Sequence, residues 1–253
     1  MRAKFTFLSD SQWQYIEKII GKRRKSKHSL RDIVEAILYL NYTGVQWRNL
    51  TYRDIAWQTV YYHFRQFKRR GIWEQILDSL VVEIRIKQGK EASPSLLAID
   101  SQRVKSVQFV SQEVGVDGNK KIKGRKRIFI VDKLGLPFAI KVVAANISDS
   151  QAGIAALEQL SGKVPRLQKI AADSGYKGTF ITHVEQVYGW EVEIAAKPAG
   201  QKGFIPEKNR WQVERAFSFL NFRRRLFREV EKMVESAEAM LQIAFISFII
   251  NYL

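Results

Sequence analysis

Cysteine is absent from all 253 residues, which excludes disulfides and thiolate metal sites and makes a reducing compartment easy to accommodate. Histidine is nearly absent too. His28, His63 and His183 stand too far apart in sequence for metal-ligand spacing, so each reads as a surface or structural residue. Acidic residues are few: 25 against 42 lysines and arginines, for a net charge of +17 and a pI near 10.0. That imbalance fits a polyanion partner such as nucleic acid, with an anionic membrane surface or simple solubility as the alternatives. Long apolar runs are missing as well. Residues 1–8 have no extended apolar region behind their charges, so no secretory signal is expected. The most apolar stretch, 239–253, spans 15 residues and contains Gln242, Ser247 and Asn251, too short for a membrane span and expected as a buried helix. Neither a Walker loop nor a dinucleotide fingerprint occurs, so no nucleoside triphosphate is implied. With 46% hydrophobic residues, the chain has material for a sizeable core and two domains.

Three acidic residues in three settings carry the chemistry. Asp100 follows the apolar run Leu96-Leu-Ala-Ile99, Asp173 follows Ile170-Ala-Ala172, and Glu214 lies within Arg210-Trp-Gln-Val-Glu-Arg-Ala-Phe217. A carboxylate where a buried strand leaves the core sits on rigid backbone and stays accessible to a cation. Glu214 lies at the edge of a helical stripe of Val213, Ala216, Phe217 and Leu220. Two strand ends and a helical glutamate together offer hard oxygen ligands suited to Mg²⁺ or Mn²⁺. Two such ions about 4 Å apart can activate an attacking oxygen and stabilise a leaving one at a phosphodiester. Taken singly, an aspartate at a strand end is more often a helix cap or turn residue.

Around these acids lies a series of ordered motifs: Leu8-Ser-Asp-Ser-Gln-Trp13, His28-Ser-Leu-Arg-Asp-Ile33, Gly44-Val-Gln-Trp-Arg48 and Trp57-Gln-Thr-Val-Tyr-Tyr62, then Ile99-Asp-Ser-Gln-Arg-Val-Lys105, Gly124-Arg-Lys-Arg127, Ala172-Asp-Ser-Gly-Tyr176 and Trp211-Gln-Val-Glu-Arg-Ala-Phe217. Over nearly its whole length the chain resembles the DDE transposases of bacterial insertion sequences, within them the insertion sequence five group. The resemblance implies a catalytic, metal-binding triad of Asp100, Asp173 and Glu214. Of the Tyr, Arg, Glu, Lys signature around the family's glutamate, only Arg210 and Glu214 are kept; Glu207 stands at the Tyr position and Asn221 at the Lys position. Arg223, Arg224 and Arg225 follow shortly after and are expected to replace that lysine at DNA.

Residues 1–92 read as all-helical. Ser9 caps a first helix to Ile20, Ser29 caps a second that Gly44 breaks, a short element runs to Leu50, and a longer helix starts near Trp57 and stops before Gly71. This order fits either a helix-turn-helix variant or a plain three-helix bundle with a basic face. On the first reading Gln58, Arg65, Lys68, Arg69 and Arg70 belong to a recognition helix. Lys87-Gln-Gly-Lys-Glu-Ala-Ser-Pro94 is the linker, and 93–253 follow as an α/β domain. There the Asp100 strand precedes a loop to 126, strands at about 127–133 and 136–145, and then alternating helices and strands. That is the order of a ribonuclease H-like domain, a mixed sheet flanked by helices, which the resemblance also implies. The last helix is expected to pack against it. Asp173 and Glu214 are 41 residues apart, which leaves no room for an insertion domain.

Lys120, Lys121, Lys123, Arg125, Lys126 and Arg127, interspersed with Gly118 and Gly124, read as a loop contacting phosphates beside the site, or as a solvated charge run. Tyr176 is expected either to stack on a base or to pack under the next helix, with Lys177 meeting phosphate. Together with the resemblance, these readings imply a transposase that binds terminal inverted repeats, cleaves the strand with two Mg²⁺ or Mn²⁺ ions and joins it to target DNA. They imply double-stranded DNA partners, a homodimer or larger assembly, no membrane, and a cytoplasmic, nucleoid-associated location. A catalytically silent transposon-derived DNA-binding protein and a metal-dependent nuclease without strand transfer are the alternatives.

Overall fold

A computed structural model describes residues 5–21, 27–118, 121–194 and 211–253. Packing divides them into two units, and the chain passes between the units four times. The first comprises Met1–Ile84, Leu220–Phe227 and Ala239–Leu253; the second comprises Arg85–Phe219 and Arg228–Glu238. The first crossing, at Ile84 to Arg85, lies a few residues before the boundary expected at 92. Residues 239–253, expected with the α/β part, belong to the helical unit.

The helical unit begins with α1 (Asp10–Ile20), capped by reciprocal bonds between Ser9 and Gln12, as the Ser9 signal predicts. Then comes α2 (Leu30–Thr43), which stops at Gly44 in the left-handed region (φ 73°). Gly44 is packed against the Arg224 backbone, so a Cβ there would come within 3.1 Å of it. A single 3₁₀ turn, Trp47–Asn49, separates α2 from α3 (Trp57–Arg69), and α4 (Ile72–Lys87) follows. Glu35, buried in α2, accepts from Leu8 N (3.2 Å) and Tyr52 Oη (2.9 Å) and pairs with Arg31. These donors offset the cost of taking its charge out of water.

The last helix, α8 (Val234–Ile249), starts earlier than its apolar composition suggests. With the 3₁₀ turn after it, Val234–Tyr252 is long and apolar enough to cross a membrane by length and composition. Its apolar side chains, among them Met240, Leu241, Ile243 and Phe245, are buried within the protein. The amide of Asn41 donates to the Met240 carbonyl (2.9 Å), and Gln12 to the Ile250 carbonyl (3.3 Å). This is how a core helix behaves.

The second unit is built on a mixed sheet of β1 (Leu96–Lys105), β2 (Gly115–Asp117), β3 (Ile122–Val131), β4 (Pro137–Ala144), β5 (Lys169–Ala172) and β6 (Glu191–Ile194). β4, β3 and β1 are antiparallel neighbours; β1, β5 and β6 are parallel; the short β2 pairs with the start of β3. Between the strands run α5 (Asp149–Leu157) and the short α6 (Thr179–His183), and α7 (Trp211–Leu220) follows β6. The core strands read as nearly continuous apolar runs, Leu97 to Ile99, Ile128 to Val131 and Ile170 to Ala172, because the sheet is covered on both faces.

The region from 107 to 126 is not the single loop expected. β2 and the first half of β3 occupy part of it, and β3 is a strand even where its sequence is Lys-Gly-Arg-Lys-Arg. Composition hides the strand because Glu229 and Asp149 neutralise Arg125, Lys126 and Arg127.

Candidate functional site

β1 and β5 lie side by side with Ala98 opposite Ala171. Two residues further along each stand Asp100 and Asp173, so the same register puts both carboxylates at one level and on one face. Asp173 stays extended (φ −84°, ψ 178°) just past the end of β5, and its carboxylate accepts from Gly175 N at 2.8 Å. Asp100 accepts from its neighbour, Ser101 N, at 2.7 Å. Both are half-buried. The strand-end expectation holds for Asp173 and is corrected for Asp100, because β1 runs on to Lys105 while paired with β3. The polar residues after Asp100 are stabilised as strand by the partners they find.

The chief partner is Asp149, the first residue of α5, which the sequence reading passed over. Its Oδ1 accepts from Ser101 Oγ (2.8 Å) and Lys126 Nζ (2.9 Å), and its Oδ2 from Arg103 Nη2 (2.8 Å). Arg103 also holds Asp117 of β2 (2.7 Å). Although burial alone would raise the Asp149 pKa, these donors hold it below the ordinary carboxylate value. The available signal was the Ser148-Asp149 pair at a helix start, which marks a cap and not a site.

Tyr176 is fully buried. It packs edge to face on Phe180 (5.1 Å) beneath α5, where a Cβ on Gly153 would come within 2.8 Å of both rings. Stacking on a base is therefore corrected to the alternative, packing under a helix. Burial and the negative charges of Asp100, Asp149 and Asp173 push its phenol well above its ordinary pKa, so it stays protonated. Lys177, next in the turn, is exposed.

Glu214 lies on the exposed side of α7. Three residues further along, Phe217 packs edge to face on Phe129 (5.2 Å), and Phe129 is the pairing partner of Asp100. α7 thus crosses the same row of the sheet. Among the described residues, however, no three acidic or histidine side chains are gathered closely enough to hold a metal ion. Asp100 and Asp173 each lie two residues past the paired Ala98 and Ala171, and Glu214 lies on α7. Lys120 and Arg210 fall outside the described residues.

The basic run divides sharply. Lys121 and Lys123 are exposed, whereas Arg125, Lys126 and Arg127 are 0%, 2% and 2% exposed. Arg125 donates to the carbonyls of Glu231 (2.8 Å), Gln112 (2.7 Å) and Lys232 (2.7 Å). Arg125 and Arg127 share Glu229, at 3.8 and 3.5 Å. Lys126 is engaged by Asp149 and the Ile147 carbonyl (2.6 Å). Phosphate contact by these three is therefore corrected: they are internal cations. Arg223 and Arg225 are likewise engaged, Arg223 over the Tyr42 ring (5.3 Å) and Arg225 on the Val45 carbonyl (3.2 Å), while Arg224 is exposed. On α3, Gln58, Tyr61, Tyr62, Arg65 and Arg69 are exposed at helical spacing, as is Arg70 beyond its end, and Lys68 is half-buried.

A mixed sheet ordered β4–β3–β1–β5–β6 with helices packed on it, preceded by a helical region, is of the ribonuclease H-like class. The model of the family described as "Transposase DDE domain" matches residues 91–250, and that described as "Putative transposase of IS4/5 family" matches residues 8–77. The chain belongs to the DDE transposase family. No curated protein matches it. Among solved structures it is similar to the Mos1 Strand Transfer Complex, at 15% identity over 68% of this chain and 61% of that one, with a TM-score of 0.25. It is also similar to the Mos1 transposase paired-end complex with left transposon end, at 14% identity over 72% and 64%, with a TM-score of 0.24. The chain thus spans somewhat under two thirds of the length of these structures.

Proposed function

We propose that this protein cleaves the ends of an insertion sequence and joins them to target DNA, using Asp100, Asp173 and Glu214 as ligands of Mg²⁺ or Mn²⁺. The observation that supports this reading is the register of β1 and β5: Ala98 lies opposite Ala171, and the half-buried Asp100 and Asp173 each follow two residues later. Two oxygen donors so placed fit a divalent cation. Glu214, exposed on α7, is the third ligand that the motif of the family implies. Bound there, the cations would supply Lewis acidity for phosphoryl transfer. Asp100 and Asp173 would hold them, and the exposed Lys121 and Lys123 neutralise DNA backbone charge nearby. Element ends are read by the exposed face of α3, whose Gln58, Arg65 and Arg69 carry the amide and guanidinium donors that pair with base edges. Joining two ends calls for two copies of the protein on DNA.

The test is Asp100→Asn in the full chain, with Mg²⁺ and linear DNA carrying the source element's ends. Strand cleavage should be lost and binding to the ends retained; Mg²⁺-dependent cleavage by the variant would refute the assignment. Cleavage by the wild type without joining would make it a nuclease, and binding without cleavage a silent DNA-binding protein.

A further inference from the structure

Both oxygens of Asp149 are committed inward. Ser101 and Lys126 occupy one oxygen and Arg103 the other, at 2.8 to 2.9 Å. Lys126 is itself buried and Arg103 partly so, their side chains 2% and 14% exposed, and Arg103 is shared with the buried Asp117. These contacts set two carboxylates against two cations through hydrogen bonds, which is the condition under which buried charge is tolerated. A carboxylate so engaged is not offered to a metal.

What Asp149 touches on its other side is the turn carrying Asp173. A Cβ on Gly175 would lie 3.0 Å from Asp173 Oδ1 and 3.2 Å from Asp149 Oδ2, so both carboxylates line the same glycine. Ser150, next in α5, donates to the carbonyls of Gly175 and Lys177 (3.3 Å each). Through Ser101 and Arg103, Asp149 is also joined to β1 on either side of Gln102, immediately after Asp100. The turn after β5 and the strand bearing Asp100 therefore share one brace, and Asp149 is its centre.

We infer that Asp149 is a positioning residue: compensated by Lys126 and Arg103, it fixes the Asp173 turn relative to Asp100 and so sets the separation of the two candidate ligands. This rests on the metal reading proposed above. Its negative charge beside Asp173 would be repulsive on its own, and the two cations cancel that repulsion.

The experiment compares the wild type, Asp149→Asn and the double variant Asp149→Asn with Lys126→Met in the full chain. Each is measured by amide hydrogen exchange over residues 173–177 and by Mn²⁺ titration followed by electron paramagnetic resonance. Asp149→Asn should speed exchange in the turn and weaken Mn²⁺ binding about 10- to 100-fold, the usual effect of losing a residue that orients a ligand. The double variant removes the unpaired cation along with its partner. It should recover melting temperature, yet keep the fast turn and the weakened Mn²⁺ binding, a combination that a purely structural role does not produce. Turn exchange and Mn²⁺ affinity that match the wild type in the double variant would overturn the inference, even if the single variant fails to fold. If Asp100→Asn leaves Mn²⁺ binding intact, the metal reading falls by itself, and the exchange of the turn still decides the role of Asp149.

Discussion

Glu229 is set between two internal guanidiniums, and removing its charge should cost the second unit much of its stability. It is 1% exposed, 3.8 Å from Arg125 and 3.5 Å from Arg127, and it also accepts from Glu231 N at 3.1 Å. Burial lowers the Arg127 pKa, a sign that its charged form is held at a penalty which Glu229 offsets in part. Glu229→Gln keeps the size and one acceptor but deletes the charge. Arg125 retains three carbonyl partners, so most of the loss falls on Arg127. Breaking a buried pair by removing one member costs ~3–5 kcal/mol. The backbone partners of Arg125 and the retained amide place Glu229→Gln near the lower end and Glu229→Ala near the upper. Urea unfolding followed by hydrogen exchange at β3 isolates this unit from the other. A loss below ~1 kcal/mol for Glu229→Gln at unchanged denaturant slope would show that carbonyl dipoles alone solvate the cations and that the pairing is incidental.

Other outcomes follow from particular contacts. Gly124→Ala should disrupt the β1–β3 pairing, because a Cβ there collides with the Val104 carbonyl, which is backbone and cannot step aside; a melting temperature equal to the wild type would contradict the packing. Tyr176→Phe should change stability by less than ~1.5 kcal/mol, whereas Tyr176→Ala should cost ~3–5 kcal/mol, since the ring's burial and not its hydroxyl fixes the turn. Equal losses would give the hydroxyl the larger part. Replacing exposed Lys121 and Lys123 with alanine should reduce the log-log salt slope of duplex binding by roughly 0.9 for each phosphate no longer neutralised, while Lys126→Met should leave the slope alone and lower stability. A larger slope change for the buried lysine would reverse that assignment.

The helix signals of the first 92 residues were legible because they are local: Ser9 with Gln12, Gly44 at a left-handed stop, Gly71 ending α3. Asp100 and Asp173 were legible because each follows a short apolar run. The rest was hidden for reasons of distance. Arg125 and Arg127 look like a solvated patch until Glu229, about a hundred residues later, comes to lie against them. Asp149 looks like a helix cap until Lys126 and Arg103 close around it. A charged residue in sequence carries no mark of whether its partner is water, phosphate or another side chain.

The return of residues 239–253 to the helical unit has a consequence for biosynthesis. α2 lies near the start of the chain, yet the Met240 carbonyl that satisfies Asn41 is made some two hundred residues later. At translation rates of about 5–20 residues per second, roughly ten to forty seconds separate the two. During that interval the nascent helices lack part of their core, and the face of α3 is carried on an incomplete scaffold. A ribosome-bound chain halted before residue 239 should therefore be open to proteases throughout its first 84 residues, and the unit should close only as its last helix is released.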